Sequence, residues 1–226
     1  MKLARSSTLF ACLACAVLTL GLPRALRSQP SDASTGKILF VGSSIFAFWT
    51  HLSDQMAPLP VINRAFPGAV TQDMLNRAGQ FIAYKPRIIV FYCGSNDVSY
   101  GEPASAIVER TKRFVTAIHN ALPNTFIYYT SVHKAPEKRD RWDVVDAVNK
   151  EMERYSHETR NLAFIDLNPV LFDRQGKIRE ELFLPDQLHF RPDSTAYAEF
   201  AQVVKPVLTK AWEAGVGLEP AGAAKH

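Results

Sequence analysis

Two residues near the C-terminus have the types and spacing of a catalytic acid–base pair. Asp186 and His189 lie in the segment PDQLHF, with two residues between them. One short turn could place the Asp186 carboxylate against Nδ1 of the imidazole, which would leave Nε2 free to face a serine. Histidine is the usual base for a serine nucleophile, and a carboxylate fixes its tautomer and stabilises the imidazolium. The pair therefore favours nucleophilic hydrolysis if a serine lies nearby.

Candidate serines lie near the other end of the chain, in the segment formed by Gly42, Ser43 and Ser44. Each signal has a simpler interpretation when it is taken alone, because D-x-x-H occurs in surface loops and G-S-S can be a tight turn. A strand-to-helix turn with Gly and Ser can also bind phosphate at the helix N-terminus. Phosphate binding is disfavoured because no Lys follows in the loop and the G-x-x-x-x-G-K-[ST] pattern is missing.

Short apolar runs alternate with helical stretches and would position these residues. The runs are almost continuous, which is typical of parallel strands covered on both faces. The predicted strands cover residues 37–42, 61–66, 87–94, 126–132 and 162–167. The predicted helices cover residues 45–56, 71–80, 103–121, 140–159 and 193–213, with Thr71 and Asp193 as N-caps and Pro103 at a first helical position. The alternation predicts parallel βαβ units in an α/β protein with three layers, α/β/α.

Sites in open parallel sheets form at the carboxyl ends of the strands. Small, polar, turn-forming residues follow three of the predicted strands. They are Gly42, Ser43 and Ser44 after the first strand, Pro67 and Gly68 after the second, and residues 94–97 after the third. We therefore expect all three segments at the same edge of the sheet.

Four sequence blocks occur in a fixed order, and together they are more specific than any one of them. FVGSSI, PGA, GSND and DQLH run from the first predicted strand to the C-terminal loop. In these blocks the sequence resembles the GDSL/SGNH hydrolase family over nearly the whole chain, from about Lys37 to Leu208. It is most similar to bacterial members of lysophospholipase or acylhydrolase type with a G-S-S nucleophile block. The resemblance implies a flavodoxin-like α/β/α sandwich with a five-stranded parallel sheet, and an esterase that needs neither cofactor nor metal.

The resemblance also implies a role for each matched residue. Ser44 corresponds to the nucleophile, and Ser43 stands where the family has Asp. Asp186 and His189 match the last block, so they complete a Ser-His-Asp triad. The block alignment favours Ser44 over Ser43.

The second and third blocks supply the implied oxyanion hole. It would consist of the backbone N–H groups of Ser44 and Gly68 and the side-chain amide of Asn96. Such donors stabilise the charge that develops on the carbonyl oxygen during acyl transfer. The sequence departs from the family at Pro67 and Ala65, where Gly is common, and both departures could alter the loop that carries Gly68.

Several other residues near these blocks have structural interpretations that we prefer. Phe46, Phe48 and Trp49 could line an acyl pocket, but packing of the first helix is favoured. His133 follows the fourth strand, and a solvated or capping role is favoured over one facing the site. Asp97 is expected to cap or brace its loop.

The N-terminus has the pattern of a secretory signal. Lys2 and Arg5 precede an uncharged apolar run from Leu9 to Leu22, which is too short for a confident membrane span. A buried helix would need a polar face, and this run has none. Lipidation at Cys15 and retention as an uncleaved anchor stay open. We predict a signal or anchor over residues 1–29, a linker over 30–36, the hydrolase domain over 37–214 and a flexible tail over 215–226, in a periplasmic or extracellular protein.

Removal of residues 1–29 changes the charge balance. Lys plus Arg falls from 26 to 22, which equals the number of Asp plus Glu, so the net charge of +4 becomes zero. The basic balance therefore gives no reason to expect nucleic-acid binding. Cys93 is then the one remaining cysteine and is expected in the core, and no Cys/His cluster has the spacing of a zinc site.

The predicted substrate class is a carboxylic ester. It could be an acetylated carbohydrate, a lysophospholipid or a short-chain ester, and the blocks do not separate these. The alternative is a non-catalytic exported module that binds carbohydrate on the same fold. Membrane contact is expected only through the possible N-terminal anchor, and the sequence does not indicate an oligomeric state.

Overall fold

The computed structural model describes residues 36–217, and its centre is one parallel β-sheet. The strands are β1 (Ile38–Gly42), β2 (Val61–Asn63), β3 (Ile88–Tyr92), β4 (Phe126–Thr130) and β5 (Leu162–Ile165). Their order across the sheet is β2-β1-β3-β4-β5, with every neighbouring pair parallel. The prediction of a five-stranded parallel sheet is therefore confirmed. The predicted signal and most of the predicted linker lie outside the described residues.

Four of the five strands end earlier than the sequence patterns predict, whereas β1 ends at Gly42 as predicted. The largest difference is at β2, which was predicted to continue to residue 66 and ends at Asn63. The Asn63 side chain accepts a hydrogen bond from the Ala65 N–H at 3.0 Å and donates one to the Phe46 carbonyl at 2.7 Å. The backbone nevertheless stays beside β1, since the Arg64 and Phe66 N–H groups donate to the Phe40 and Gly42 carbonyls at 2.7 and 3.0 Å.

Eight α-helices flank the sheet in the described residues. They are α1 (Ser44–Ala47), α2 (Leu52–Met56), α3 (Thr71–Asn76), α4 (Ala78–Ile82), α5 (Ser95–Ser99), α6 (Ala104–Ala121), α7 (Trp142–Glu158) and α8 (Ala196–Glu213). Each of the first two predicted helices is in fact two short helices, broken near Phe48 and at Arg77. The short α5 was not predicted, because GSND has the composition of a turn.

The predicted helix starts are corrected by one to three residues. Thr71 is the first residue of α3 rather than its N-cap, and its hydroxyl is engaged by Asp97. Pro103 occupies the N-cap position of α6 rather than the first helical position. Asp193 pairs with Arg191 at 2.9 Å instead of capping α8, which begins at Ala196.

Successive residues of the central strands face opposite helical layers. Phe40 belongs to a core shared with α1, α2 and α8, including Phe200. Val41 belongs to a second core shared with α3, α4, α6 and α7, including Phe114. Because both faces of the sheet are buried, the strands have the continuous apolar sequences from which they were predicted. Cys93 is buried in the second core, as expected.

The chain stays attached to the fold slightly beyond the predicted domain end at residue 214. The buried Arg87 precedes β3 and donates a hydrogen bond from Nε to the Val216 carbonyl at 2.5 Å. Its guanidinium also lies over the Trp212 ring, 4.0 Å from the centroid. In the described part of the chain, no helix is both long and apolar enough to cross a membrane.

Candidate active site

Three of the predicted site residues meet at the carboxyl edge of the sheet. Ser44 begins α1 directly after β1, and its Oγ lies 2.9 Å from Nε2 of His189. The other ring nitrogen, Nδ1, lies 2.7 Å from Oδ2 of Asp186. A carboxylate can only accept, so Nδ1 carries the hydrogen and Nε2 is free to accept the hydroxyl proton of Ser44. This is the arrangement in which a histidine acts as a base toward a serine.

The turn that carries this acid–base pair is built by the same carboxylate. Oδ1 of Asp186 accepts the backbone N–H groups of Leu188 and His189, each at 3.0 Å. Gln187 between them has a φ of +54°, and the Leu184 N–H donates to the His189 carbonyl at 2.7 Å. One side chain therefore closes the turn with Oδ1 and orients the imidazole with Oδ2.

These contacts change the acidity of the carboxyl group. Burial raises the pKa of Asp186, but hydrogen bonds from the His189 ring and from two backbone N–H groups outweigh it. The net pKa of Asp186 is lowered. The group therefore remains an acceptor for the imidazole throughout the neutral pH range.

The geometry distinguishes the two adjacent serines. Ser43 is extended, and its N–H donates to the Tyr92 carbonyl at 3.1 Å. Its Oγ is buried and makes no hydrogen bond among the described residues. The Ser44 hydroxyl, in contrast, is hydrogen-bonded to Nε2 of His189. The backbone here depends on Gly42, since a Cβ at that position would lie 1.8 Å from the Tyr92 carbonyl oxygen.

The three predicted oxyanion donors follow β1, β2 and β3, which are neighbours in the sheet. The N–H of Ser44 has no intrahelical acceptor because Ser44 is the first residue of α1. Within residues 36–217, the Gly68 N–H also has no acceptor, and its φ of +77° favours glycine. Nδ2 of Asn96 donates to the Ala69 carbonyl at 2.9 Å, and the second hydrogen of this amide has no acceptor among the described residues.

A buried carboxylate fixes the loops that carry two of these donors. Asp97 on α5 accepts the Thr71 N–H at 3.0 and 3.1 Å and the Thr71 hydroxyl at 2.5 Å. Arg110 of α6 donates to the same carboxylate at 3.1 Å. Thr71 begins the helix that follows the Gly68 loop, so the network holds this loop against α5 and Asn96. The expectation that Asp97 braces its loop is confirmed.

The aromatic residues that follow Ser44 divide into two roles. Phe46 and Trp49 are buried in the core, as the packing interpretation predicts. Phe48 is 45% exposed, and its ring lies edge-on to the His189 ring with the centroids 5.2 Å apart. Phe48 is therefore a wall of the site rather than a core residue.

The prediction of a solvated or capping His133 is wrong. The side chain is buried, with Nδ1 2.5 Å from the Tyr92 hydroxyl and Nε2 3.1 Å from the Leu188 carbonyl. Burial, aided by the nearby Lys138 ammonium, lowers the pKa of His133 to about 3. No pattern in the sequence separates this histidine from a surface one, since the contact with Leu188 spans 55 residues.

Comparison with known proteins agrees with the fold and the blocks. The sequence pattern of the GDSL-like lipase/acylhydrolase family matches residues 40–196, a range that contains Ser44, Asp186 and His189. The comparison with curated proteins returned no match.

Solved structures of similar fold include a GDSL-like lipase from Bacteroides thetaiotaomicron, with 20% identity, a TM-score of 0.67, and coverage of 81% of this chain and 92% of that one. A lipase/acylhydrolase from Enterococcus faecalis has 20% identity, a TM-score of 0.65, and coverage of 78% and 96%. A family 3 carbohydrate esterase from Talaromyces cellulolyticus has 17% identity, a TM-score of 0.64, and coverage of 80% and 99%. These likenesses confirm the predicted fold.

The lowered pKa of His133 predicts an acid-sensitive contribution to stability. Between the ordinary value of 6.5 and about 3, the unfolded chain binds a proton at this residue that the folded chain does not bind. The contribution is therefore complete above pH 6.5 and declines as the pH falls. From pH 7 to pH 4, the unfolding free energy of the wild type should fall more steeply than that of His133→Gln, by at most about 1.4 kcal/mol per pH unit. Urea unfolding at several pH values measures both, and parallel curves would contradict the assignment of a neutral His133.

Proposed function

We propose that this chain, which belongs to the GDSL-like lipase/acylhydrolase family of ester hydrolases, cleaves carboxylic esters with Ser44 as its nucleophile. One observation carries the proposal. His189 lies with one ring nitrogen 2.9 Å from the Ser44 hydroxyl and the other 2.7 Å from the Asp186 carboxylate. A hydroxyl in this position can lose its proton as it attacks, which is what a serine needs to act as a nucleophile.

The first half of the reaction forms an acyl-enzyme. Ser44 Oγ attacks the ester carbonyl carbon, and its proton passes to Nε2 of His189. The carbonyl oxygen becomes an oxyanion, for which Ser44, Gly68 and Asn96 supply the donors. The bond to the alcohol oxygen then breaks, and the alcohol leaves with the proton from His189.

The second half restores the enzyme by the same route. A water molecule gives a proton to Nε2 of His189 and attacks the acyl carbon. The bond from that carbon to Ser44 Oγ breaks, Oγ recovers the proton from His189, and the carboxylic acid is released. Asp186 stabilises the imidazolium in both halves and keeps the hydrogen on Nδ1. None of these steps calls on a metal or cofactor.

The surroundings of the catalytic residues favour small acyl groups on exposed alcohols. The Asp186 side chain is 46% exposed and the His189 side chain 22% exposed, and Phe48 forms an open aromatic wall. An open site can admit an ester carried on a larger molecule, such as an acetyl group on a carbohydrate. The family 3 carbohydrate esterase shares the fold. Acetylated carbohydrates and short-chain esters are therefore our preferred substrates, ahead of a lysophospholipid.

We also infer that the protein is exported, from the basic residues and apolar run at its N-terminus. Expression of the full chain in a bacterial host with intact-mass analysis of the periplasmic fraction tests this. A mature N-terminus near residue 30 is the expected result, whereas an unprocessed chain confined to the cytoplasm would contradict export.

The esterase proposal predicts different outcomes at the two adjacent serines. Ser44→Ala should lower kcat for p-nitrophenyl acetate by about 10³-fold or more, because within residues 36–217 the Ser44 hydroxyl alone is hydrogen-bonded to the His189 ring. Ser43→Ala, the matched control, should retain kcat within about tenfold, since its hydroxyl makes no contact with the base. Steady-state hydrolysis by folded residues 30–226 measures both.

The same assay tests the preferred acyl length. Acetate and butyrate esters should be cleaved with a higher kcat/KM than the octanoate ester.

Equal loss of activity in both serine variants, or an unaffected Ser44→Ala, would contradict the assigned nucleophile. A folded wild-type protein that hydrolyses none of these esters would contradict the esterase proposal and favour the alternative, a non-catalytic module that binds carbohydrate.

A further inference from the structure

The turn between Asp186 and His189 is hydrogen-bonded to the segment that follows β4. The two residues within the turn are Gln187 and Leu188, and both of their carbonyl groups bond to this segment. Nε2 of His133 lies 3.1 Å from the Leu188 carbonyl oxygen, and the Glu137 N–H donates to the Gln187 carbonyl at 3.0 Å. The position of the catalytic turn thus depends on residues that the reaction itself does not use.

The hydrogen positions on His133 follow from its partners. The Leu188 carbonyl can only accept, so Nε2 must carry the hydrogen. Nδ1 then has a lone pair, and the contact at 2.5 Å must be a hydrogen bond that the Tyr92 hydroxyl donates. Burial raises the pKa of Tyr92 far above its usual value, so its hydroxyl stays protonated. Tyr92 therefore selects the tautomer of His133 that can hold the turn.

Packing leaves the His133 ring little freedom to move. It is 1% exposed and stacks on Phe183 with an interplanar angle of 14°. Phe190 meets it edge-on, with the centroids 5.9 Å apart. Phe183 and Phe190 precede and follow the catalytic turn and pair with each other across it. The His133 ring therefore packs against the two residues that flank the turn, and it is hydrogen-bonded to Leu188 within the turn.

We propose that His133 is a positioning residue, which holds the Leu188 carbonyl and so keeps Nε2 of His189 in line with Ser44 Oγ. The proposal rests on the esterase function proposed above and adds to it a second histidine that never exchanges a proton with substrate. The charged and titratable groups around it are the Tyr92 hydroxyl, the buried Lys138 paired with Glu137 at 2.7 Å, and His189 itself. Displacement of a catalytic group by about 1 Å can cost a hundredfold in rate.

Two substitutions at position 133 separate the hydrogen bond from the packing. His133→Phe keeps an aromatic ring between Phe183 and Phe190 but removes the donor to Leu188. We expect kcat to fall by about tenfold or more with KM changed by less than about twofold, because binding does not involve this residue. His133→Gln can donate an amide N–H toward Leu188, and it should recover most of the lost kcat.

The concentration of active sites is measured by titration with a fluorophosphonate, and each kcat is calculated from that concentration. Unfolded protein does not react with the reagent and therefore does not lower the measured kcat. A folded His133→Phe enzyme with wild-type kcat would overturn the proposal, as would a Gln variant as impaired as the Phe variant. If the Phe variant does not fold, Tyr92→Phe decides the question. Loss of the hydroxyl that selects the tautomer should lower kcat by about threefold to tenfold at constant KM, and an unchanged kcat would overturn the proposal.

A measurement without substrate separates this inference from the proposed function. The Nδ1 proton of His189, held by Asp186, should give a downfield proton signal in the NMR spectrum of the wild type. This signal should weaken or shift in His133→Phe and return in His133→Gln. A chain that hydrolyses no ester but shows these changes would retain the positioning role and lose the esterase function. Identical spectra in all three proteins would overturn the positioning role.

Discussion

The 2.9 Å contact between His189 Nε2 and Ser44 Oγ joins residues that are 145 positions apart in the chain, and the site depends on it. Neither partner is placed by its own neighbours alone. Ser44 is held by the end of β1, where Gly42 lets the backbone pass against Tyr92. His189 is held by a turn that the Asp186 carboxylate closes from within and that the segment after β4 holds through the Leu188 carbonyl.

The strand order explains how so few residues assemble a site. β1, β2 and β3 are adjacent, so the segments that follow them come together at one edge of the sheet. Buried polar bonds then fix these segments relative to one another, with Asp97 joining α5 to the start of α3. A carboxylate buried this way needs all its partners, because an unpaired buried charge is costly. The loops that carry Gly68 and Asn96, two of the proposed oxyanion donors, are therefore fixed by groups outside the proposed triad.

The parts of the molecule that were predicted are those with strong local signals. Continuous apolar runs predicted the five parallel strands, because strands buried on both faces have no polar alternation. The strand-end rule predicted that the segments carrying Ser44, Gly68 and Asn96 share one edge of the sheet, whereas the meeting of Ser44 with His189 was implied by the resemblance to the GDSL/SGNH family. Phe46 and Trp49 were expected in the core and lie there.

The missed features depend on contacts between distant parts of the chain. The burial of His133 depends on Tyr92 and Leu188, and neither contact leaves a periodic pattern. The hydrogen bond from the Asn63 side chain to the Phe46 carbonyl, across 17 residues, likewise leaves no local signal in the sequence. Block alignment favoured Ser44 over Ser43, and only the fold explains the difference in physical terms.

The central claim is that His189 activates Ser44 and no other hydroxyl, and covalent labelling tests it most directly. A fluorophosphonate reacts with a serine whose proton is taken by a base, and peptide mapping by mass spectrometry locates the adduct. The account predicts one adduct per chain, on Ser44, with the labelling rate reduced by about 10³-fold or more in His189→Ala. An adduct on Ser43, or labelling of Ser44 at an unchanged rate in the absence of His189, would contradict it.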